Sequence, residues 1–191
     1  MPVLPTHLKK FSDPPLPDIV YFDTSFVIKC LVDGVSHFNQ CKEFLEKLIE
    51  KQPIVVFSNL LRAELWRARL VIVFQNLEQK RYINLQRCCK KYPTASIDHY
   101  PEISEVNKLF NELLKNFKDW VESPVDDKII NIALPLTKKY NLCSYDAIHI
   151  ATMLSKGIRD IVVFDKHIED ITEFNIWTNG RLKRYKERHN L

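Results

Sequence analysis

The chain has 191 residues with 46% hydrophobic and 27% charged content, enough for one sizeable domain with its own core. No apolar stretch is long enough to span a bilayer, and the N-terminus lacks the continuous apolar core of a secretory signal. The net charge of +4 is modestly basic, and the five cysteines (an odd number, with no C-x-x-C spacing) argue against a disulfide framework or a zinc site and for a reducing cytoplasm.

Residues 1–17 hold five of the ten prolines and read as an extended arm outside the core. Ile19-Val-Tyr-Phe22 reads as a buried strand ending at Asp23, with Thr24 and Ser25 offering caps for a short helix over 26–32. Phe38, Cys41, Leu45 and Leu48 recur at helical spacing over 36–51, and Pro53 ends that helix. Ile54-Val-Val-Phe57 is a second apolar strand. Ser58 or Asn59 then caps a longer helix along Leu61, Leu65, Ala68 and Ile72.

The stretch 79–101 is polar and bracketed by prolines, with room for a short strand near Ala95-Ser-Ile97. An amphipathic helix is expected over 102–121. Another starts at Ser123-Pro124, with Pro135 expected to kink it or to mark a short junction. Ser144 is expected to cap a helix that Gly157 ends. A strand over 161–164, a short helix, a last strand near 174–177 and a basic tail complete the chain. Strands alternating with helices imply βαβ units: an α/β fold with a parallel sheet covered on both faces.

Four carboxylates stand out. Asp23 and Asp165 each end an apolar run, where ligand sites form in open α/β sheets. Each could equally cap the next helix. Asp146 lies in the first turn of its helix, where the helix dipole alone would favour it, yet it also borders the buried stripe. Glu64 lies along an inward stripe and needs a partner. Arg62, Arg67 and Arg69 are not at the favoured spacings, so a salt bridge would have to come from a distant Lys or Arg. Asp126 and Asp127 are explained by the dipole of the helix they open, and His149 reads as a packed or hydrogen-bonded histidine.

Clustered carboxylates repel unless a cation lies between them. An all-oxygen set selects Mg²⁺ or Mn²⁺ over zinc, and such ions activate water for attack on a phosphodiester. Basic residues Lys80, Arg81, Arg87, Lys90 and Lys91, together with Arg181, Lys183 and Arg184 in the tail, could follow a phosphate backbone or simply form solvated surfaces.

Four segments carry a family resemblance: Val20-Tyr-Phe-Asp-Thr-Ser-Phe-Val-Ile28, Ser58-Asn-Leu-Leu-Arg-Ala-Glu-Leu65, Leu142-Cys-Ser-Tyr-Asp-Ala-Ile-His-Ile-Ala151 and Ile161-Val-Val-Phe-Asp-Lys-His-Ile168. In order and spacing the sequence resembles PIN-domain ribonucleases of the kind found as toxins in VapBC toxin–antitoxin pairs. The resemblance implies a three-layer α/β/α fold with a central, mostly parallel sheet, and RNA cleavage dependent on one or two Mg²⁺ or Mn²⁺ ions. It gives metal binding and catalysis to Asp23, Glu64, Asp146 and Asp165, and site orientation by hydrogen bonding to Thr24 or Ser25. It implies an RNA substrate, a cognate antitoxin and a homodimer, and the lack of a long apolar stretch implies no membrane.

The PIN-like domain is expected over 18–178, with a helical insertion at about 70–120 and a basic tail over 179–191. The gap of 82 residues from Glu64 to Asp146 is longer than in compact members. Two other readings compete. One is a dehalogenase-type phosphatase with Asp23 as nucleophile, whose accessory residues fit poorly. The other is a catalytically inactive RNA-binding PIN-like protein, which the presence of all four acids opposes.

Overall fold

The computed structural model describes residues 6–164 and 167–178. In chain order the elements are β1 (Leu8–Lys9), β2 (Ile19–Phe22), α1 (Thr24–Leu31), α2 (Phe38–Lys51), β3 (Ile54–Ser58), α3 (Leu60–Glu78) and α4 (Leu85–Lys91). There follow α5 (Ala95–Asp98), α6 (Tyr100–Leu114), β4 (Trp120–Ser123), α7 (Asp127–Tyr140), α8 (Ser144–Lys156), β5 (Asp160–Val162) and β6 (Asn175–Trp177).

The strands form one sheet in the order β1-β6-β5-β2-β3-β4, and every pairing is parallel. Successive side chains of a strand point to opposite faces, so β2 feeds two cores. Val20 and Phe22 join Val55, Phe57 and Val162 beneath α1, α2, α3 and α6. Tyr21 joins Val56, Ile161 and Val163 beneath α7 and α8. Both faces are therefore covered, which is why the central strands read as unbroken apolar runs. This is the α/β sheet with flanking helices that the sequence implies.

From β2 the chain moves outward to β3 and β4, then returns to the other side of β2 for β5 and β6. The strand order thus reverses beside β2. A crevice opens outside the carboxyl ends of strands at such a point, and Asp23 is the residue that follows β2.

Several local expectations change. Leu8 and Lys9 pair with Ile176 and Trp177 at the sheet edge, so part of the proline-rich segment is integral to the fold where an outlying arm was expected. Phe11 anchors it, stacked on Phe44 at 4.1 Å between centroids and 5% exposed. Burying such a ring contributes roughly 1.5–3 kcal/mol, enough to hold a short edge strand in place.

The segment near Ala95 is a single helical turn, α5, and not a strand. The helix expected over 102–121 ends at Leu114, and Trp120–Ser123 form the edge strand β4. Its half-exposed Trp120 and Val121 broke the buried pattern that marks a strand in sequence. Pro135 does not divide α7, which runs through it. Cys143, not Ser144, caps α8, its Sγ accepting from the backbone N–H of Asp146. Gly157 ends α8 at φ 66°, a left-handed conformation that glycine adopts at no steric cost.

Candidate active site

Three of the four acids meet at one cleft. Asp23, Thr24, Ser25, Glu64, Arg67, Cys143, Tyr145 and Asp146 border a cavity of about 320 Å³ at the carboxyl edge of the sheet. Asp23 comes from the end of β2, Glu64 from the second turn of α3 and Asp146 from the first turn of α8. Asp165, the fourth acid, lies outside the described residues.

Asp23 is 5% exposed and serves as the N-cap of α1, its Oδ2 accepting from the N–H of Ser25 at 2.8 Å. The capping reading is therefore correct, but it occupies one oxygen only. Burial pushes the carboxyl above its ordinary pKa, with the Glu64 charge acting in the same sense. The charge of His149 and the hydrogen bond from Ser25 oppose the rise without cancelling it. Ser25 also works from its side chain, its Oγ accepting from the N–H of Phe164 at 2.8 Å and tying α1 to the segment that follows β5.

Glu64 finds its partner in His149, not in a distant Lys or Arg. Nε2 of His149 donates to Oε2 of Glu64 at 2.7 Å, and Thr24 Oγ1 donates to the same oxygen at 2.6 Å. Burial alone would raise the Glu64 pKa. The hydrogen bond and charge of His149, then Thr24 and the charge of Arg67, outweigh it and hold the carboxyl below its ordinary value. Arg67, three residues on along α3, thus shares the cleft with Glu64, contrary to the spacing argument.

His149 is 1% exposed, and both its ring nitrogens are engaged. Nδ1 is hydrogen-bonded with Tyr21 Oη at 2.8 Å, and Tyr21 Oη accepts from the N–H of Ser58 at 3.1 Å. Nε2 also lies 3.8 Å from Oδ1 of Asp23. Burial alone would lower the pKa of the ring. The phenolic oxygen of Tyr21 on one side and the carboxylates of Glu64 and Asp23 on the other hold it well above the ordinary histidine value. The sequence reading of a hydrogen-bonded histidine is right in kind. What it missed is that the partners are two of the four acids, and the available signal was that His149 stands three residues after Asp146, one turn further along α8.

Glu64 Oε1 and Asp23 Oδ1 make no hydrogen bond among the described residues, so each acid keeps an oxygen for a further partner. The donors bordering the cleft are hard oxygens of the kind Mg²⁺ and Mn²⁺ take. Among the described residues, however, no three acidic, histidine or cysteine side chains are gathered closely enough to enclose an ion. The donor set fits a hard cation in kind, and the described residues alone do not enclose one.

The basic segment lies elsewhere. Lys80 and Lys91 reach Glu78 at 3.5 and 2.6 Å, and Arg81 lies over the Tyr82 ring. Arg87 and Lys90 stand on α4. Glu78 is fourteen residues beyond Glu64 on the same helix, which at 1.5 Å per residue is about 21 Å away. Arg181, Lys183 and Arg184 lie outside the described residues. Asp126 caps α7, its Oδ1 accepting from the N–H of Ile129 at 2.9 Å, so its role is structural.

Among solved structures, the chain is similar to the VapC20 toxin of Mycobacterium tuberculosis, a sarcin–ricin loop cleaving toxin (16% identity, 78% of this chain and 93% of that one, TM-score 0.48). It is similar to a toxin–antitoxin complex from Klebsiella pneumoniae (18% identity, 83% and 96%, TM-score 0.49). It is also similar to VapBC2 from Rickettsia felis bound to a promoter DNA fragment (11% identity, 84% and 98%, TM-score 0.50). No curated protein sequence matches significantly. The PIN domain family model matches residues 20–173, from the strand before Asp23 to the turn before β6, and on that match the chain belongs to the PIN domain family.

Proposed function

We propose that this chain is a metal-dependent ribonuclease hydrolysing RNA phosphodiester bonds, and that it acts as a VapC-like toxin held in check by a cognate antitoxin. The observation that carries the reading is the convergence of Asp23, Glu64 and Asp146 on one cleft at the point where the strand order reverses. Asp23 in particular is costly to a fold that does not use it, because it is buried and its neighbours only partly offset the hydration it loses. Membership of a nuclease family supports the same chemistry.

In this reading Asp23, Glu64, Asp146 and Asp165 hold Mg²⁺ or Mn²⁺, which supplies charge neutralisation at phosphorus and an activated water. The chain's own residues prepare the site. Thr24 and His149 fix the Glu64 carboxylate from two directions. Ser25 fixes Asp23 through its backbone N–H and anchors the segment after β5 through its hydroxyl. Arg67 sets a fixed positive charge beside an otherwise acidic cleft, where a phosphate oxygen can meet it. The toxins named among the similar structures motivate the antitoxin partner. All five cysteines are free, in keeping with a reducing cytoplasm, and among the described residues no helix is long and apolar enough to cross a membrane.

The test is cleavage of end-labelled single-stranded RNA by the purified protein with Mn²⁺ or Mg²⁺. Discrete fragments should form, and both excess EDTA and Asp146→Asn should abolish them. Full activity in EDTA would sink the metal dependence. No cleavage together with no ion binding by calorimetry would favour an inactive RNA-binding PIN protein. A small adjacent gene encoding a DNA-binding segment and a disordered tail would support the toxin role, and its absence would favour a solitary RNA-processing or decay nuclease.

A further inference from the structure

A second cleft runs along the other flank of α3, between that helix and α6. Trp66, Arg67, Leu70, Tyr100 and Ile103 border it, around a volume of about 340 Å³. Trp66 and Tyr100 are 51% and 59% exposed, so folding leaves two large ring surfaces in water at its mouth. Both rings keep a face that a planar ligand can stack on.

The helix geometry ties this cleft to the acidic one. Glu64, Arg67 and Ala68 form one stripe of α3 and border the acidic cleft, whereas Trp66 and Leu70 form the adjoining stripe. Arg67 borders both and is the wall between them. The two clefts are therefore no further apart than the width of one helix, about 10–12 Å, a span that a few nucleotides cover.

Electrostatics says what the second cleft should hold. The acidic cleft repels phosphates unless a cation is present, so a polyanion bound there must draw affinity from neutral parts of the molecule. Nucleobases are those parts, and single-stranded RNA is recognised by stacking its bases on aromatic rings and guanidinium planes. We propose that the Trp66–Tyr100 cleft is a base-binding subsite, which takes an unstacked nucleobase of single-stranded RNA while Arg67 meets the phosphate leading from it to the acidic cleft. The subsite rests on the ribonuclease reading and adds to it a source of substrate affinity outside the acids.

The experiment compares binding, in EDTA so that nothing is cleaved, of a fluorescently labelled mixed-sequence decaribonucleotide and of the same ribose–phosphate chain lacking its bases. The wild-type protein should prefer the base-bearing strand by roughly 5- to 150-fold, the range expected of one base stack. Trp66→Ala should remove most of that preference, and Trp66→Phe should keep it. Trp66 is half exposed, so both variants should fold, and circular dichroism checks this. If the wild type prefers bases and Trp66→Ala prefers them equally, the subsite is wrong and the ribonuclease reading stands. If the wild type shows no base preference in EDTA, the subsite is wrong; if it also fails to cleave RNA when Mn²⁺ is supplied, the ribonuclease reading falls with it. If Trp66→Ala instead halves the mass in light scattering and leaves base preference intact, the cleft is an interface between copies of the chain and the proposal is overturned.

Discussion

Nε2 of His149 donates to Oε2 of Glu64 across 2.7 Å, joining α8 to α3 over the end of the sheet. Tyr21 on β2 holds the opposite ring nitrogen at 2.8 Å, so strand, histidine and acid form one continuous chain. Removing the ring leaves Glu64 with a single hydrogen bond from Thr24 and opens a buried gap. His149→Ala should destabilise the protein by about 3 kcal/mol, from a hydrogen bond to a charged group plus a cavity. His149→Gln, whose amide can donate in place of Nε2, should recover part of it. Urea unfolding curves for the two variants check this. Equal losses would mean that the ring matters for packing and not for holding Glu64.

Thr24 supplies the second donor to Glu64, at 2.6 Å. Thr24→Val keeps the shape of the side chain and removes the donor. It should cost about 2 kcal/mol, the range for a hydrogen bond to a charged acceptor, while Thr24→Ser should cost much less. Weaker ion binding by Thr24→Val in calorimetry should accompany the loss of stability. Unchanged stability in both variants would show that Glu64 does not depend on this donor.

Asp23 is strained electrostatically in the other direction. Burial raises its pKa, so the ionised carboxylate is unfavourable in the metal-free fold. An asparagine has the same shape, no charge, and an oxygen that can still cap the N–H of Ser25. Asp23→Asn should therefore unfold at the same temperature as wild type or up to a few degrees higher in EDTA, a gain on the order of 1 kcal/mol, and yet lose RNA cleavage. Loss of cleavage with a large fall in melting temperature would show that Asp23 is structural first.

Much of this site was legible in the sequence because strand ends and helix starts are marked locally. Asp23 follows an apolar run, Asp146 follows a capping position, and Glu64 lies on a buried stripe. What the sequence hid depends on tertiary approach. His149 meets Glu64 across 85 positions of chain, and no local pattern encodes that distance. Strand β1 is two residues long, too short for periodicity, and its place was decided by Phe11 reaching Phe44. Strand β4 was hidden because an edge strand keeps its side chains half in water, so its pattern resembled the end of the preceding helix.

The charge states of the site give the metal-free protein a pH dependence. The folded pKa of His149 lies well above its unfolded value of about 6.5, so its contribution is complete below that pH and is lost as pH rises through the folded value. Asp23, also raised, disfavours the fold as pH climbs above the ordinary aspartate range. Glu64, lowered, acts oppositely: its contribution is present above the ordinary glutamate value and is lost as pH falls through the folded one. In EDTA, stability should therefore fall from about pH 6.5 upward, at no more than about 1.4 kcal/mol per pH unit for one group. His149→Gln should flatten that limb. A wild-type melting temperature that stays constant or rises from pH 6.5 to 9 would contradict the charged-histidine assignment.

Arg62 fixes the helix that carries Glu64. Its Nε and Nη2 grip both oxygens of Glu122 on β4 at 2.9 and 3.0 Å, Nη1 donates to Asn111 Oδ1 on α6 at 2.8 Å, and the guanidinium lies over the rings of Phe57 and Phe110. Both ends of the pair are partly buried, with side chains 28% and 29% exposed, so screening is weaker than for a surface pair. Lysine keeps the charge but cannot reproduce the planar fork or the stacking. Arg62→Ala should cost about 2 kcal/mol and Arg62→Lys at least half as much, with a coupling of about 1 kcal/mol to Glu122→Gln in a double-mutant cycle. Because Glu64 lies only two residues further along α3, cleavage should fall with each variant even where the protein stays folded. Full activity in Arg62→Ala would show that the register of α3 over the sheet is set by its apolar face alone.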